Sequence, residues 1–355
     1  MQLPFRRSGT CRAWSVAGVA LLVFALAGCA GQGASTGAAA PGAASAANAA
    51  TALPSWRDGV AKQNIVKFVN DVTREGSPTY VAPADRIAVF DNDGTLWSEQ
   101  PVYFQFVFLL DQVKAAAPSH PEWKNNPAYK ALVAKDYGAL ASQQKALMQL
   151  VGVANSGMTV DEYDETIRKW LATAQHPKFR RPYTELVYQP QLELLAYLRA
   201  NGFKTFIVSG GTIEFMRPWA EKVYGIPPEQ VIGSSQLVQF EMRDGKPVLV
   251  RRPKLDFVDD GPGKPVGIYR DIGRKPILAF GNSDGDLQML QYTASGAGPH
   301  LALLVHHDDA VREFAYDRQS KVGKLDKAWD EAVTDGWTVV SMKDDWATIY
   351  PAPKQ

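Results

Sequence analysis

Short apolar runs recur along the chain and predict the strands of a buried sheet. The first run, residues 86–90, is bounded by polar turn residues and does not alternate apolar with polar positions. This pattern is typical of a strand that is buried on both faces of a parallel sheet. Residues 203–208 and 276–280 repeat it, and residues 301–305 predict a further strand.

Helical spacing of apolar residues appears between these runs. A stripe through residues 65–69 predicts a helix that ends near residues 74–76. Between the first two strands, helical spacing covers residues 104–113, 128–153 and 160–172. A connection of this length is normally a structure of its own. We therefore expect a helical cap over residues 99–189, inserted after the first strand.

Two carboxylates follow the first predicted strand directly, in the segment Asp91-Asn92-Asp93-Gly94. Ligands of open α/β sheets bind at the carboxyl ends of the strands, and the glycine permits a tight turn there. The spacing suits a nucleophile beside a general acid/base, with a divalent cation holding both charges. A plain surface turn is the alternative, whereas the acidic spacing of an EF-hand calcium loop is missing.

Polar loops also follow the second and third strands. Ser209, Gly210 and Gly211 precede an amphipathic helix predicted at residues 212–224, and a hydroxyl with backbone N–H groups at a helix start suits an anion. The third strand leads into Gly-Asn-Ser-Asp-Gly-Asp-Leu at residues 281–287. Either loop by itself is more often an ordinary turn.

The segment Asp-x-Asp-Gly-Thr-Leu after a strand resembles the first motif of the haloacid dehalogenase superfamily, most of whose members are magnesium-dependent phosphatases. The loop at Ser209 resembles the second motif, which implies that Ser209 and Gly210 bind phosphate. The third motif is a lysine, and Lys254, Lys264 and Lys275 are the candidates. Lys264 is favoured because Pro265 predicts a helix that starts there.

The loop at residues 281–287 resembles the fourth motif, Gly-Asp-x-x-x-Asp, with one departure. Asn282 occupies the place of the first acid, and Asp286 that of the second. An amide oxygen ligates magnesium without contributing charge, so either metal binding is weaker than in relatives or Asp284 compensates. The resemblance implies Asp91, Asp93, Asn282 and Asp286 as the Mg²⁺ site.

The resemblance covers about residues 86–305 and implies a three-layer, Rossmann-like α/β core at residues 54–98 and 190–355. A helical cap, with a hairpin at residues 237–250 before the lysine, resembles the phosphoserine-phosphatase-like branch. That branch carries a substrate-binding glutamate near the position of Glu99, although the offset from the nucleophile differs.

The implied activity is magnesium-dependent hydrolysis of small-molecule phosphate monoesters. Asp91 would attack phosphorus to give an aspartyl-phosphate, and Asp93 would serve as acid and then base. Two alternatives stay open. One is phosphoryl transfer to an alcohol, which uses the same four motifs. The other is a lipid-anchored binding protein that has lost turnover, for which Asn282 is the suggestive feature.

The C-terminal part contains two adjacent histidines and three tryptophans, whose patterns indicate structural roles. His306 and His307 are adjacent on an extended chain and point to opposite sides, so one can face the cleft but the pair predicts no zinc site. Trp329, Trp337 and Trp346 predict packing of a C-terminal extension.

The net charge of the chain is close to zero. With 38 Lys and Arg against 37 Asp and Glu in 355 residues, the balance gives no reason to expect a nucleic-acid partner.

The N-terminal segment has the pattern of a secretion signal. Three arginines and an apolar run precede Leu-Ala-Gly-Cys at residues 26–29, which resembles a bacterial lipobox and predicts lipidation of Cys29. An ordinary cleaved signal or a short anchor is the alternative. The Ala/Gly/Ser-rich residues 30–53 predict a tether, and Ala30 favours the periplasmic side of the outer membrane.

Overall fold

A computed structural model describes residues 53–136, 139 and 142–353 of the chain. The predicted signal, residues 1–29, and all of the predicted tether except Leu53 lie outside the described residues. Within the described part, no helix is long and apolar enough to cross a membrane.

The described strands form one eight-stranded sheet in the order β4-β3-β2-β1-β5-β6-β7, with β8 also paired to β6. Parallel pairing joins β1 to β2 and β5, β2 to β3, and β6 to β5 and β8, while β4 and β7 run antiparallel to their neighbours. The strands are β1 (Ile87–Phe90), β2 (Lys204–Thr212), β3 (Val231–Arg243), β4 (Lys246–Phe257), β5 (Leu278–Gly281), β6 (Leu301–Asp308), β7 (Ala315–Tyr316) and β8 (Thr338–Ser341).

Helices connect these strands and cover the sheet. They are α1 (Val60–Thr73), α2 (Phe104–Ala116), α3 (Pro127–Val133), α4 (Gln144–Ala154), α5 (Val160–Thr173), α6 (Gln189–Ala200), α7 (Ile213–Tyr224), α8 (Gly263–Gly267), α9 (Leu287–Ala294), α10 (Lys327–Asp335) and α11 (Met342–Asp345). A π-helical turn at Ile268–Ile272 continues α8.

The apolar runs are continuous because both faces of the sheet are buried. In β1, Ala88 and Phe90 join one core cluster with α1, α6 and α7, while Ile87 and Val89 join a second cluster with α9 and α10. Successive side chains of a strand point to opposite faces, so a fully apolar strand requires helices on both sides. The predicted three-layer α/β architecture is confirmed.

The helical segment that follows β1 is also confirmed, and it has a core of its own. Leu110 and Val113 of α2 pack with Leu132 of α3 and Leu147 of α4 in a separate cluster. The buried residues of α5, in contrast, belong to the cluster under the sheet. Helices α2 to α4 share this separate core, and we call these three helices the roof.

The hairpin and the C-terminal extension follow their sequence patterns. Asp244 and Gly245 join β3 to β4 with φ angles of 50° and 74°. Positive φ angles at both residues of a two-residue turn match the right-handed twist of the flanking strands. Trp346 is fully buried and packs edge-on against Trp56, with ring centroids 5.9 Å apart. Trp329 and Trp337 pack against the second core cluster.

Candidate active site

The carboxyl ends of β1, β2 and β5 meet at one edge of the sheet and bring the motif residues together. Asp91 begins the loop after β1, and its N–H donates to the carbonyl of Phe280 in β5. Gly94 has a φ of 73°, and a Cβ there would lie 2.1 Å from Asn282 Nδ2. Only glycine permits this close approach of the two loops.

Lys264 lies at the centre of this edge, buried to 1% exposure. Its Nζ donates to Asp91 Oδ1 and Asp286 Oδ1, both at 2.7 Å, and to the carbonyl of Val208 at 2.8 Å. Burial disfavours the ammonium, but attraction and hydrogen bonds from Asp286 and Asp91 outweigh it and raise the pKa of Lys264. The ammonium is therefore charged and uses all three of its donors.

Of the three candidate lysines, only Lys264 reaches the strand ends. Lys254 is exposed on β4, and Lys275 Nζ donates to Ser295 Oγ before β5. The helix start differs from the prediction, because α8 begins at Gly263 and Lys264 is its second residue. The side chain thus enters the cleft from inside the first turn.

Asp93 lies beside this ion cluster with its two oxygens in different surroundings. Oδ1 accepts a 2.7 Å hydrogen bond from Trp97 Nε1, whereas Oδ2 lies 3.8 Å from the position that a Cβ would take on Gly211. Burial raises the pKa of Asp93 to about 6, against the opposing hydrogen bond from Trp97. Burial, followed by repulsion from Asp286, also raises the pKa of Asp91 well above its usual range.

Asn282 and Glu99 form a buried pair next to the two aspartates. Asn282 Nδ2 donates to Glu99 Oε1 at 2.7 Å, and Thr95 Oγ1 donates to Asn282 Oδ1 at 3.1 Å. Tyr316 OH donates to the same Glu99 oxygen at 2.8 Å. Glu99 is 1% exposed, and burial is the first cause that raises its pKa. The carboxyl group of Glu99 therefore lies beside Asn282, which occupies the place of the first acid of the fourth motif.

The two acids of the loop after β5 face different ways. Asp286 Oδ2 accepts the N–H groups of Asn282 and Ser283 at 2.9 and 3.0 Å, so this acid also holds its own loop. Asp284 Oδ1 instead accepts the N–H groups of Asp326 and Ala328 at the start of α10. Because Asp284 caps a distant helix and does not line the cleft, the structure does not favour it as the compensating acid.

The loop after β2 differs from its predicted form. The strand does not end at Val208 but continues through an irregular pairing to Thr212, before α7 begins. Ser209 is buried at the cleft, and its Oγ accepts the N–H of Gly211 at 3.1 Å. The N–H of Thr212 donates to Gln105 Oε1, so two of the predicted anion-binding N–H groups are engaged.

A buried chain of hydrogen bonds lies behind the loop after β1. The sequence predicted only that one of the two adjacent histidines can face the cleft. His307 Nε2 donates to the carbonyl of Gly94 at 2.8 Å, and its Nδ1 lies 3.3 Å from Glu313 Oε2. Tyr188 OH donates to Glu313 Oε1 at 3.2 Å. His306 points the other way and packs edge-on against Trp329. The adjacent histidines thus face opposite sides, and only His307 contacts the site.

The charges at the cleft suit a hard divalent cation. Asp91, Asp93, Glu99 and Asp286 gather around the single ammonium of Lys264, and buried carboxylates in excess call for a positive partner. Within the described residues, no group of three His, Cys, Asp or Glu side chains forms a ready metal shell. In proteins, magnesium usually keeps several waters and binds one or two carboxylates. It therefore suits this open set of oxygen donors.

A cavity of about 410 Å³ lies between these strand ends and the roof. Its floor contains Asp91, Asp93, Ser209, Lys264 and Asp286. Helices α2 and α4 and the end of β4 supply the opposite wall. Glu99 also lines the cavity, and its Oε2 has no hydrogen-bond partner among the described residues.

Behind Lys264 lies a buried acid that the sequence did not single out. The N–H of Asp259 donates to Ser234 Oγ at 3.0 Å, but neither carboxyl oxygen has a hydrogen-bond partner in the described part of the chain. Burial raises the pKa of Asp259 to about 7, opposed chiefly by the charge of Lys264. An unpaired buried carboxylate destabilises the fold whenever it is ionised.

The sequence of the chain matches a known protein family. The model of the haloacid dehalogenase-like hydrolase family matches residues 88–291, more than half of the chain. The search of curated proteins gave no significant match.

Solved structures show distant likenesses. A functionally unknown protein of Anaerococcus prevotii is 17% identical, with 72% of this chain and 87% of that chain covered and a TM-score of 0.49. A protein of unknown function from Bordetella pertussis is 16% identical, with 72% and 97% covered and a TM-score of 0.45. A phosphoserine phosphohydrolase-like protein of Francisella tularensis is 17% identical, with 74% and 95% covered and a TM-score of 0.36. Likenesses this distant carry no functional assignment.

The raised pKa of Asp259 predicts a pH-dependent penalty on stability. The folded state holds this proton up to about pH 7, whereas an unfolded chain releases it near pH 4. Stability is therefore lost between about pH 4 and pH 7, and the penalty persists above pH 7. Asp259→Asn removes it and should raise the free energy of unfolding at pH 8, by up to about 4 kcal/mol, but much less at pH 5.

Urea unfolding at the two pH values measures this difference. The exposed Asp256→Asn is the matched control, and we expect it to change stability equally at both pH values. A gain for Asp259→Asn that is the same at pH 5 and pH 8 would contradict the interpretation.

Proposed function

Since the chain belongs to the haloacid dehalogenase-like hydrolase family, we propose that it is a magnesium-dependent phosphatase of small phosphate monoesters. The observation that carries this proposal is the buried Lys264, which holds Asp91 and Asp286 together beside Asp93 at the strand ends. A cation, a candidate nucleophile and a candidate general acid thus face one cavity.

The hydrogen bonds favour Asp91 as the nucleophile. Lys264 holds Oδ1, which leaves Oδ2 for attack on phosphorus. The Oδ2–phosphorus bond forms as the bond from phosphorus to the ester oxygen breaks, giving an aspartyl-phosphate and an alcohol. Lys264 would neutralise charge on the transferring phosphoryl group, and the Ser209 hydroxyl would hydrogen-bond one of its oxygens.

Asp93 suits the proton transfers. Trp97 occupies Oδ1, so Oδ2 carries the proton that passes to the leaving oxygen. The resulting carboxylate then takes a proton from water, which attacks the aspartyl-phosphate and releases inorganic phosphate and free Asp91. A pKa of about 6 suits both roles, because the group is neither a strong acid nor a weak one.

Magnesium would be held by oxygens of Asp91, Asp93 and Asn282, and it would supply positive charge to the phosphate oxygens. Asp286 is the fourth oxygen donor that the family motif implies, and its oxygens also accept hydrogen bonds from Lys264 and from its own loop. Glu99 lies beside Asn282 and, when ionised next to the bound cation, would add the negative charge that Asn282 lacks. This favours a working enzyme over a binding protein that has lost turnover, and no contact specifically favours transfer to an alcohol.

Replacing each aspartate separately tests the assigned roles. Asp91→Asn removes the attacking oxygen and should abolish turnover of every ester. Asp93→Asn removes the proton donor and should lower kcat about 100-fold or more for an alkyl phosphate, but much less for 4-nitrophenyl phosphate, whose leaving group needs little protonation. Phosphate release by both folded variants measures this. Substantial activity of Asp91→Asn on either ester would overturn the covalent mechanism.

The Asn282–Glu99 pair gives a second prediction. Asn282→Asp adds a carboxylate at the ion and should lower the magnesium concentration for half-maximal activity, by up to about tenfold. It also places two carboxylates where donor and acceptor now lie 2.7 Å apart, so the metal-free variant should unfold at a lower temperature.

The double variant Asn282→Asp/Glu99→Gln is the control for this pair. It restores a donor opposite an acceptor, so thermal stability without metal should return. It also carries the same number of carboxylates at this pair as the wild type, so its magnesium requirement should return toward the wild-type value. An unchanged magnesium requirement in Asn282→Asp would show that position 282 does not contribute to the metal site.

Anchoring through Cys29 is a further part of the proposal, supported by the lipobox-like residues 26–29. Acyl chains contribute about 0.8 kcal/mol per buried methylene, so a lipidated cysteine holds a domain at the periplasmic side of the outer membrane. Cys29→Ser should move the protein to the soluble fraction, whereas Cys11→Ser should leave it in the membrane fraction. If Cys29→Ser stays there unprocessed, an uncleaved anchor is the better account.

A further inference from the structure

The cavity wall opposite the catalytic floor is apolar and accessible. Phe106 and Leu109 of α2, Met148 of α4, Leu255 of β4 and Val258 line it. Met148, Leu255 and Val258 are 47%, 48% and 53% exposed, although large apolar side chains at a cleft are normally covered by protein. An uncovered apolar wall inside a concave site is typical of a pocket that binds an apolar group.

The charges around the cavity oppose a second anion on the ligand. Among the described residues that line the cavity, Lys264 is the only cation, and Asp91 and Asp286 already pair with it. The exposed Asp260 stands at the mouth, where its Oδ1 lies 3.5 Å from the position of a Cβ on Gly210. A carboxylate or second phosphate on the leaving group would meet no positive partner and would be repelled by Asp260.

Two of the neutral polar side chains that line the cavity are occupied by protein partners. Gln105 Nε2 donates to Thr212 Oγ1, and Gln105 Oε1 accepts the N–H of Thr212, both at 2.9 Å. Ser234 Oγ donates to the carbonyl of Gly210 and accepts the N–H of Asp259. Neither side chain is therefore set aside for a hydroxyl group of the leaving group.

The apolar wall ends at Met148. A second depression of about 450 Å³ shares Met148 with the cavity, but Lys145 and Gln149 line it together with Gly152, Val153 and Pro253. We therefore place the apolar part of the leaving group in the first cavity, between Met148 and Leu255.

We propose that the substrates are phosphate monoesters of apolar alcohols, with an alkyl or aryl leaving group that lies against the Met148–Leu255 wall and with phosphate as the sole anionic group. This inference rests on the proposed phosphatase function. A phosphatase of zwitterionic or dianionic metabolites would need a cation near the leaving group. The described residues that line this cavity supply none besides Lys264.

A matched pair of esters tests this preference. Hexyl phosphate and 5-carboxypentyl phosphate share the same reacting oxygen and chain length and differ only in the terminal carboxylate. We expect kcat/KM with magnesium to be at least tenfold higher for hexyl phosphate. Equal values, or a preference for the carboxylated ester, would overturn the inference while leaving the phosphatase proposal intact.

A charge on the wall should change the preference in a defined direction. Leu255→Lys supplies the missing cation, so it should lower kcat/KM for hexyl phosphate and raise it for the carboxylated ester, at least tenfold in their ratio. Leu249→Lys is the matched control, because Leu249 lies on the same strand and is equally exposed, at 48%, but does not line the cavity. A ratio that Leu255→Lys leaves unchanged would contradict the placement of the leaving group.

Binding of the corresponding phosphonates, which are not hydrolysed, separates this inference from the proposed function. Calorimetry with magnesium should show hexylphosphonate binding at least tenfold more tightly than 5-carboxypentylphosphonate. If that difference appears but neither ester is hydrolysed, the phosphatase proposal fails and the assignment of the apolar wall stands. If the two phosphonates bind equally, or neither binds, the assignment of the wall fails.

Discussion

A buried ammonium between two carboxylates fixes the geometry on which the rest of this site depends. Lys264 binds Asp91 and Asp286 at 2.7 Å each and the carbonyl of Val208 at 2.8 Å, so one side chain joins the ends of β1, β2 and the loop after β5. A buried charge is tolerated only when it is paired and hydrogen-bonded. Removing the ammonium would leave two buried carboxylates without a positive partner, and the strand ends are therefore mutually constrained.

The same constraint explains how charge is distributed over the cavity. One ammonium does not balance the four carboxyl groups that line the cavity, those of Asp91, Asp93, Glu99 and Asp286, and this excess suits a divalent cation. Burial raises the pKa of Asp93 to about 6. The roof residues that line the cavity, Phe106, Leu109 and Met148, are apolar. In the proposed function, the strand ends supply the chemistry, and the roof together with the end of β4 sets the choice of leaving group.

Much of the fold followed from the sequence because its signals are local. Continuous apolar runs predicted buried parallel strands, and polar residues directly after them had to meet at one edge of the sheet. Spacing was less informative about which side chain enters the cleft. Asp284 and Asp286 are both near the end of β5, yet the turn between them sends Asp284 to the start of α10 and only Asp286 to Lys264.

Contacts between distant segments were beyond the sequence. Tyr316 reaches Glu99 across 217 positions, and His307 reaches the carbonyl of Gly94 across 213. No periodicity encodes such pairs, which depend on β6 and β7 lying beside the loop after β1. Trp97 is the exception, since it follows Asp93 by four residues and a tight turn brings its indole back to that carboxylate.

The most direct test of the account is to trap the phosphorylated protein and locate the phosphoryl group. The wild-type protein is mixed with a phosphate monoester and magnesium, quenched in acid during turnover, digested and examined by mass spectrometry. The covalent mechanism predicts one phosphoryl group on the carboxylate of Asp91. A phosphoryl group on any other residue, or steady turnover during which Asp91 is never phosphorylated, would contradict it.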